Sequence, residues 1–225
     1  MPLKRNAGHD HAFIFLNGFY HPGDGKLAWR ILREMKRQPL IIAVDGGLSF
    51  LQKAEIRPDI WLSDLDSAPR IQKGFLKETQ IYIFPGEKDK TDAELALDIC
   101  YHRKIRAATI FGWYDRDDET DHLLGNLLLG SKVAGVPGKI DLEFTGEKQR
   151  IFPLCNGRLI IVKSRGRRLS VIPLNKCMTL TLSGVKYPAQ NLKFSVGDTI
   201  ALRNKIVKDR AIVTVSGSIL VVIGG

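Results

Sequence analysis

Acidic side chains follow several apolar runs of this chain, at spacings that could gather them into one site. The runs are 40–44, 60–63, 81–84 and 107–111. The acids that come after them are Asp45, Asp64, Asp66, Asp89, Asp92 and Asp121. If the runs are parallel strands, these carboxylates lie at one sheet edge, where open α/β sheets bind ligands. Several acids at one edge repel one another unless a cation lies among them, and oxygen ligands of this kind suit Mg²⁺ with phosphate oxygens and water.

The simplest alternative is that aspartate is common in turns. That explanation suffices for any one of these acids, but four successive strand-to-helix connections favour a shared role. Gly46 and Gly47 after Asp45 would let a ligand approach the backbone closely. Thr91 followed by Glu94 fits a capping box, and a capped helix start also presents free N–H groups to phosphate.

A second helix start lies near residue 120. Thr120 is expected to cap this helix, which puts His122 and Asn126 one turn apart on the same face. The sequence has no phosphate-loop motif, no dinucleotide fingerprint after the first strand and no nucleophile elbow. Metal-assisted phosphate chemistry is what remains.

Two different patterns divide the chain into predicted domains 1–146 and 147–225. In the first, apolar runs alternate with helix-like segments, which predicts a doubly wound, mostly parallel sheet with an α/β fold. The helix-like segments are 26–37, 47–55, 68–78, 91–104 and 120–135. In the second, short strands separated by Gly, Pro and Asn predict an antiparallel β-sandwich or barrel. Its predicted strands are 157–164, 167–174, 177–184, 198–204, 210–217 and 218–223.

Charge and composition limit the possible settings. The net charge is +10, and residues 151–225 account for all of it with 12 basic and 2 acidic residues. This excess fits either an anionic partner or a solvated basic face. No apolar run reaches the roughly 20 residues that span a bilayer, and the first residues lack the apolar segment of a secretory signal. The three scattered cysteines predict a reducing, cytoplasmic location.

In order along the chain, these motifs resemble those of the thiamine pyrophosphokinases. The matching segments are Asn17-Gly18, Asp45-Gly46-Gly47, Ser63 to Ser67, Asp89 to Asp92, Asp121-His122 with Asn126, Gly184 to Pro188, and Asn204. The resemblance covers nearly the whole chain. It implies transfer of diphosphate from ATP to the hydroxyl of thiamine, giving thiamine diphosphate and AMP, by a Mg²⁺-dependent homodimer. The lengths of the apolar runs predict no membrane partner, and basic residues without interleaved aromatics argue against a nucleic-acid partner.

The resemblance also implies roles for particular residues. The implied catalytic residues are Asp64, Asp66, Asp89 and Asp92, and the implied Mg²⁺ ligands are Asp64, Asp66 and Asp92. The implied ATP-binding residues are Asp45, Gly46, Gly47, Ser67, Thr91, Gly112, Asp121, His122 and Asn126. The implied thiamine-binding residues are Tyr187, Arg203 and Asn204.

Three departures from the family pattern keep alternatives open. Ser63 replaces a glycine. The loop 112–120 is longer, which leaves open whether Arg116 replaces the usual arginine. Segment 203–205 reads Arg-Asn-Lys instead of Ser-Asn-Glu. If the two added cations point inward, they suit an uncharged acceptor better than the positive thiazolium of thiamine; if they point outward, they are solvated charges of little consequence. One alternative is therefore a diphosphokinase for another alcohol, such as a hydroxymethyl pterin. The other is a non-catalytic nucleic-acid or anion-binding module, which the basic C-terminal part suggests.

Overall fold

The computed structural model describes residues 9–64, 70–85, 89–114, 120–136, 140–176 and 178–225. The chain forms two compact units, 1–119 and 120–225. The elements of the first unit are β1 (His11–Phe15), α1 (Asp24–Glu34), β2 (Leu40–Val44), α2 (Gly47–Lys53), β3 (Ile60–Ser63), β4 (Gln80–Ile83), α3 (Asp92–His102) and β5 (Ala107–Phe111). Those of the second are α4 (Thr120–Ala134), β6 (Asp141–Thr145), β7 (Gln149–Val162), β8 (Arg168–Pro173), β9 (Met178–Ser183), β10 (Ala189–Phe194), β11 (Asn204–Lys205) and β12 (Arg210–Gly224).

The strands of the first unit form a parallel sheet in the order β5-β1-β2-β3-β4. The central strands are mainly apolar, because they are buried on both faces rather than on one. Phe15 and Phe111 stack with their ring centroids 4.8 Å apart in the core below the strand ends. The order reverses at β1, so the crevice between β1 and β5 is the topological switch point where such sheets bind ligands. The predicted α/β class is confirmed.

The second unit is antiparallel around the long strand β12. Its first half lies between β7 and β9, and its second half lies between β7 and β8. A bulge separates the halves at Gly217, whose φ is +103°. The backbone N–H groups freed by the bulge are satisfied by side chains, since Gly217 N donates to Asn156 Oδ1 and Ser218 N donates to Asn175 Oδ1, both at 2.7 Å. The predicted antiparallel C-terminal fold is also confirmed.

Two predicted elements are wrong. The segment 68–78 is not a helix in its described part, 70–78, where isolated turns follow one another and Gly74 adopts a φ of +78°. A left-handed residue in mid-segment breaks the helical run, and its apolar spacing could not reveal this. The strand predicted over 198–204 is reduced to β11, because residues 198–203 form turns that end in the left-handed Arg203.

Predicted strands 210–217 and 218–223 are one strand, β12, whereas β10 and the first half of β7 were not predicted from the sequence. Pairing explains why these segments are strands, since the first half of β7 lies against β12 and β10 pairs with β9.

Helix α4 packs on β6, β7 and β12, which is why it belongs to the second compact unit. The domain boundary predicted after Gly146 comes from the change in sequence pattern, not from the compact units of the structure, and it stays a prediction. No helix in the described ranges is long and apolar enough to cross a membrane.

Candidate active site

The Asp45-Gly46-Gly47 turn connects β2 to α2 at the carboxyl edge of the parallel sheet. Asp45 adopts a φ of +42°, a left-handed conformation that Asp and Asn tolerate better than most residues. Its backbone N–H donates to Leu62 O at 2.8 Å, and its carbonyl oxygen accepts from Trp61 Nε1 at 3.3 Å. The turn is therefore fixed to β3, and the Asp45 side chain is held at the strand ends.

The two glycines of this turn are required by close packing. A Cβ at Gly46 would lie 1.9 Å from Asn17 Oδ1, and one at Gly47 would lie 2.0 Å from Phe15 O. Both contacts come from the end of β1. The residues were predicted to bind ATP, and the structure gives them a further reason to be glycine: they bring the β2 turn against the β1 loop.

Three carboxylates from different loops meet at this edge. The pKa of Asp45 is raised from 3.8 to about 6, mainly by burial and then by the charge of Asp92, a hydrogen bond with Asp92 and the charge of Asp64. Asp45 Oδ1 is buried and has no hydrogen-bond partner among the described residues. Asp64 directly follows β3 and Asp92 begins α3. The predicted gathering of Asp45, Asp64 and Asp92 is therefore present in the structure.

This cluster fits a cation that has further ligands. A buried carboxylate oxygen without a donor, beside two more carboxylates, is stabilised by positive charge. Within the described residues, however, no three His, Cys, Asp or Glu side chains form a metal-binding group by themselves. Mg²⁺ usually takes only one or two carboxylates, and phosphate oxygens and water complete its shell. Asp66 and Ser67, two further predicted site residues, lie outside the described residues, as does Arg116.

Helix α3 begins beside the acidic cluster. Thr91 is its N-cap, and Thr91 Oγ1 accepts from Glu94 N at 3.3 Å, as the capping pattern predicted. Asp92 is the first helical residue, and Asp89 lies exposed in the segment before the cap. Asp89 and Thr91 thus stand at a helix N-terminus, where the free N–H groups and the helix dipole favour phosphate.

The crevice between β1 and β5 is tightly closed at its base. Gly18 N donates to Gly112 O at 3.0 Å, and Phe19 N donates to Tyr114 O at 3.2 Å. Gly112 has a φ of +65°, and a Cβ there would lie 2.4 Å from Tyr20 Oη. Gly112 was predicted to bind ATP, and it directly follows β5 at the switch point.

An aromatic wall beside the Asp-Gly-Gly turn was not predicted from the sequence. The rings of Tyr20 and Phe50 stack with centroids 3.8 Å apart, and Tyr20 Oη donates to Leu16 O at 2.6 Å. They line a cavity of about 450 Å³ that also reaches Gly46. The aromatic content of 19–20 is visible in the sequence, but the partner on α2 lies 30 residues further on, and no local pattern connects the two.

The predicted ATP-binding residues of the second unit lie at the start of α4. Thr120 is the first residue of α4. If Thr120 were the cap, as predicted, the first helical residue would be Asp121. Asp121 Oδ1 accepts from His122 N at 2.9 Å. His122 is exposed and Asn126 is half-buried, four residues apart on the same helix.

Asn204 ties together the loop that carries Tyr187. Its Oδ1 accepts from Tyr187 N at 3.1 Å and from Lys205 N at 2.8 Å, and its Nδ2 donates to Tyr187 O at 2.8 Å. The side chain is buried, whereas Tyr187 is 62% exposed with Lys186 Nζ 5.1 Å from its ring centroid. Of the three predicted thiamine-binding residues, Tyr187 thus presents its ring to solvent, while Asn204 uses its amide to hold the loop.

The unusual cations of segment 203–205 are solvent-exposed. Arg203 adopts a φ of +55°, and its backbone N–H donates to Ser170 Oγ at 3.0 Å. Lys205 pairs through its backbone with Arg168 in β8. Both side chains are exposed. This favours the interpretation that they are solvated charges, which contribute little to binding.

Family comparisons match both parts of the chain. Residues 31–138 match the family model described as "Thiamin pyrophosphokinase, catalytic domain". Residues 158–220 match the one described as "Thiamin pyrophosphokinase, vitamin B1 binding domain". A thiamine pyrophosphokinase of Bacillus subtilis (strain 168) is 30% identical over 188 residues, which cover 82% of this chain and 86% of that protein.

Solved structures agree with this match. The crystal structure of thiamine pyrophosphokinase from Bacillus subtilis has a TM-score of 0.78 at 25% identity and covers 96% of this chain and 98% of its own. The structure of thiamin pyrophosphokinase from Geobacillus thermodenitrificans has a TM-score of 0.76 at 27% identity, with 96% and 97% covered. The thiamin pyrophosphokinase from Candida albicans has a TM-score of 0.79 at 14% identity, with 96% and 89% covered, and this shows the shared fold alone.

Proposed function

The chain belongs to the thiamin pyrophosphokinase family and forms thiamine diphosphate in an ATP-dependent reaction, and we propose that the acids at the ends of β2 and β3 and at the start of α3 are its reaction centre. One observation carries this proposal: Asp45, Asp64 and Asp92 come from three loops and converge, with a buried Asp45 oxygen that no described residue satisfies. Such a cluster binds a cation and its phosphate ligands.

The reaction joins the hydroxyl oxygen of thiamine to the β-phosphorus of ATP. The bond between that phosphorus and the oxygen bridging to the α-phosphate breaks, AMP departs with the bond's electron pair, and the hydroxyl proton passes to a carboxylate or to water. Transfers of this type depend mostly on positioning and on stabilisation of the charged phosphate oxygens. The protein needs no covalent nucleophile for this step.

The acids would hold Mg²⁺ through Asp64, Asp66 and Asp92, with Asp45 beside them. When bound, Mg²⁺ supplies positive charge to the transferring diphosphate. Asp45 stands in a turn fixed to β3, so its carboxylate enters the cluster in one orientation. Asp64 is placed by the end of β3 and Asp92 by the capped start of α3.

Other predicted residues keep their roles as proposals. Asp89 completes the catalytic set, and the N-terminus of α3 at Thr91 would bind phosphate oxygens. The remaining proposed ATP contacts are Gly46, Gly47, Ser67, Gly112, Asp121, His122 and Asn126. We assign Tyr187 to thiamine contact through its exposed ring. Asn204 acts through the loop it holds, and Arg203 is at most a peripheral contact.

Assembly and location are further parts of the proposal. A homodimer is inferred from the family resemblance, and sedimentation equilibrium of the purified chain tests it. A cytoplasmic setting is inferred from the scattered cysteines, and Cys100 and Cys155 are free thiols in the structure. The relatives found give no support to a pterin acceptor or to a nucleic-acid module.

The test is the reaction itself. Wild-type protein with ATP, Mg²⁺ and thiamine should give AMP and thiamine diphosphate in equal amounts by chromatography. Asp64→Asn and Asp92→Asn should each lower kcat by about a hundredfold or more, because each removes a proposed ligand of the Mg²⁺ that neutralises the transferring phosphates. Asp98→Asn is the matched control on the same helix as Asp92, since its carboxylate pairs instead with Lys90, and it should keep activity.

Circular dichroism should show that both acid variants remain folded. Full activity in Asp64→Asn and Asp92→Asn would remove the acidic cluster from the mechanism. AMP release with a hydroxymethyl pterin but not with thiamine would contradict the assignment of thiamine as the acceptor alcohol.

A further inference from the structure

A second concave surface of the first unit lies between α1 and α2. This groove has a volume of about 740 Å³, within the range of small-molecule sites. It is lined by none of the proposed catalytic or substrate residues. It continues into the aromatic cavity beside the Asp-Gly-Gly turn, and the two share Pro22, Gly25, Lys53 and Ala54. We call it the α1–α2 groove.

The groove is rich in cations that are not used in ion pairs. Its wall includes Lys26, Arg30 and Arg33 of α1, at positions i, i+4 and i+7 of one helix face, and Lys53 of α2. No salt bridge within the described part of the chain involves any of the four. Two carboxylates, Glu34 and Glu55, also line the groove and leave its charge positive. Clustered cations around a concavity focus the field and attract anions.

An exposed tryptophan lies among these cations. Trp29 is 39% exposed, whereas the other two tryptophans, Trp61 and Trp113, are 2% and 3% exposed. Its Nε1 donates to Ala54 O at 2.7 Å, which fixes the indole against α2. The Arg33 guanidinium lies 5.8 Å from the ring centroid. A rigid indole face beside guanidinium groups can stack an aromatic ring and hold its phosphate at the same time.

We propose that the α1–α2 groove is a binding site for a phosphate ester of an aromatic ring, separate from the acidic reaction centre. The ring stacks on Trp29, and the phosphate oxygens pair with Arg30, Arg33 and Lys53. Arginine holds phosphate in a bidentate fork, so two arginines on one helix face give the ester a defined orientation. The acidic centre needs a metal to bind phosphate, whereas this groove needs none.

Trp29 fluorescence tests the proposal directly. AMP and thiamine diphosphate serve as the probes, and only this choice rests on the proposed function, because both are products of that reaction. In EDTA, either ester should quench the exposed tryptophan saturably. Inorganic diphosphate should compete, because it occupies the same arginines. Adenosine, which has no phosphate, should bind at least about tenfold more weakly, since it forms no charge-assisted hydrogen bonds.

A double variant locates the site. Arg30→Gln with Arg33→Gln keeps helix propensity but removes both guanidinium groups, and it should weaken the ester at least about tenfold while thiamine diphosphate formation continues. The matched control is Arg165→Gln with Arg167→Gln, which removes the same charge from exposed positions of the second unit and should bind like wild type. Trp29→Phe should abolish the quenching signal, and calorimetry should still detect binding.

Three results would overturn the proposal: no saturable quenching by either ester, equal binding of adenosine, or unchanged binding in the Arg30 and Arg33 double variant. Because the measurement is made without metal and the double variant is assayed separately for turnover, failure of the groove is distinguishable from failure of the reaction centre.

Discussion

Replacing Asp45 by Asn should stabilise the metal-free protein near neutral pH while it removes activity. The pKa of Asp45 is raised from 3.8 to about 6, chiefly by burial and then by Asp92 and Asp64. The folded protein therefore binds this proton more tightly than the unfolded chain does. The resulting stabilisation is complete below the unfolded pKa and is lost as pH rises through about 6. Asn carries no charge, so the variant escapes that loss.

The magnitude follows from the shift. Two pKa units correspond to about 3 kcal/mol, and solvent screening of this half-buried group reduces the effect to about 1–2 kcal/mol. For a chain of this size, that difference corresponds to about 2–8 °C in Tm. Asn also tolerates the left-handed φ of +42°, so the substitution adds little backbone strain.

Denaturant unfolding in EDTA measures the effect at about pH 4 and about pH 7.5, on either side of the raised pKa. Tryptophan fluorescence reports on the relevant unit, since Trp61 and Trp113 are buried within it. The free energy of unfolding of Asp45→Asn, relative to wild type, should be higher at the upper pH than at the lower one. The same difference for exposed Asp141→Asn should not change with pH. Mg²⁺ should stabilise wild type more than the variant at the higher pH. A difference between Asp45→Asn and wild type that is the same at both pH values would refute the reasoning.

Two further substitutions test how the loops are held. Gly47→Ala should lower stability by about 1–3 kcal/mol and reduce kcat, because its Cβ would lie 2.0 Å from the backbone oxygen of Phe15 and displace the end of β1; Gly125→Ala, with open space around its Cβ, is the control, and equal stabilities of the two variants would contradict this packing. Asn204→Ala should cost about 2–4 kcal/mol in urea unfolding and raise the KM for thiamine, because the backbone groups of Tyr187 lose their partners. Asn204→Asp, which keeps the acceptor oxygen, should lose less, and an unchanged KM in both variants would contradict a positioning role.

The acidic cluster illustrates what a sequence pattern can predict. Asp45 and Asp64 each follow a buried, mainly apolar strand, and parallel strands must end at the same edge. The position of Asp92 followed from the Thr91 cap, whose chemistry is local. These inferences held because each depended on contacts within a few residues and on one rule of sheet geometry.

The errors arose where a single backbone conformation or a distant partner decided the structure. Segment 70–78 has helical apolar spacing, but Gly74 takes a left-handed conformation and the segment forms turns. In β12, the bulge at Gly217 is stabilised by Asn156 and Asn175, far along the chain, so the sequence suggested two strands instead of one. Local composition carries no record of such distant partners.

The sequence alone determined the α/β order, the antiparallel C-terminal part, the acids at the strand ends and the family motifs. Only the tertiary structure decided that Asn204 holds the Tyr187 loop, that Tyr20 stacks on Phe50, and that α1 and α2 enclose a cationic groove around Trp29. The physical reason is the separation along the chain between the residues that interact. Hydrophobic periodicity, caps and turn residues are set by neighbours in the chain, whereas cavities, stacked rings and unsatisfied charges come from segments that meet only when the sheet and helices pack.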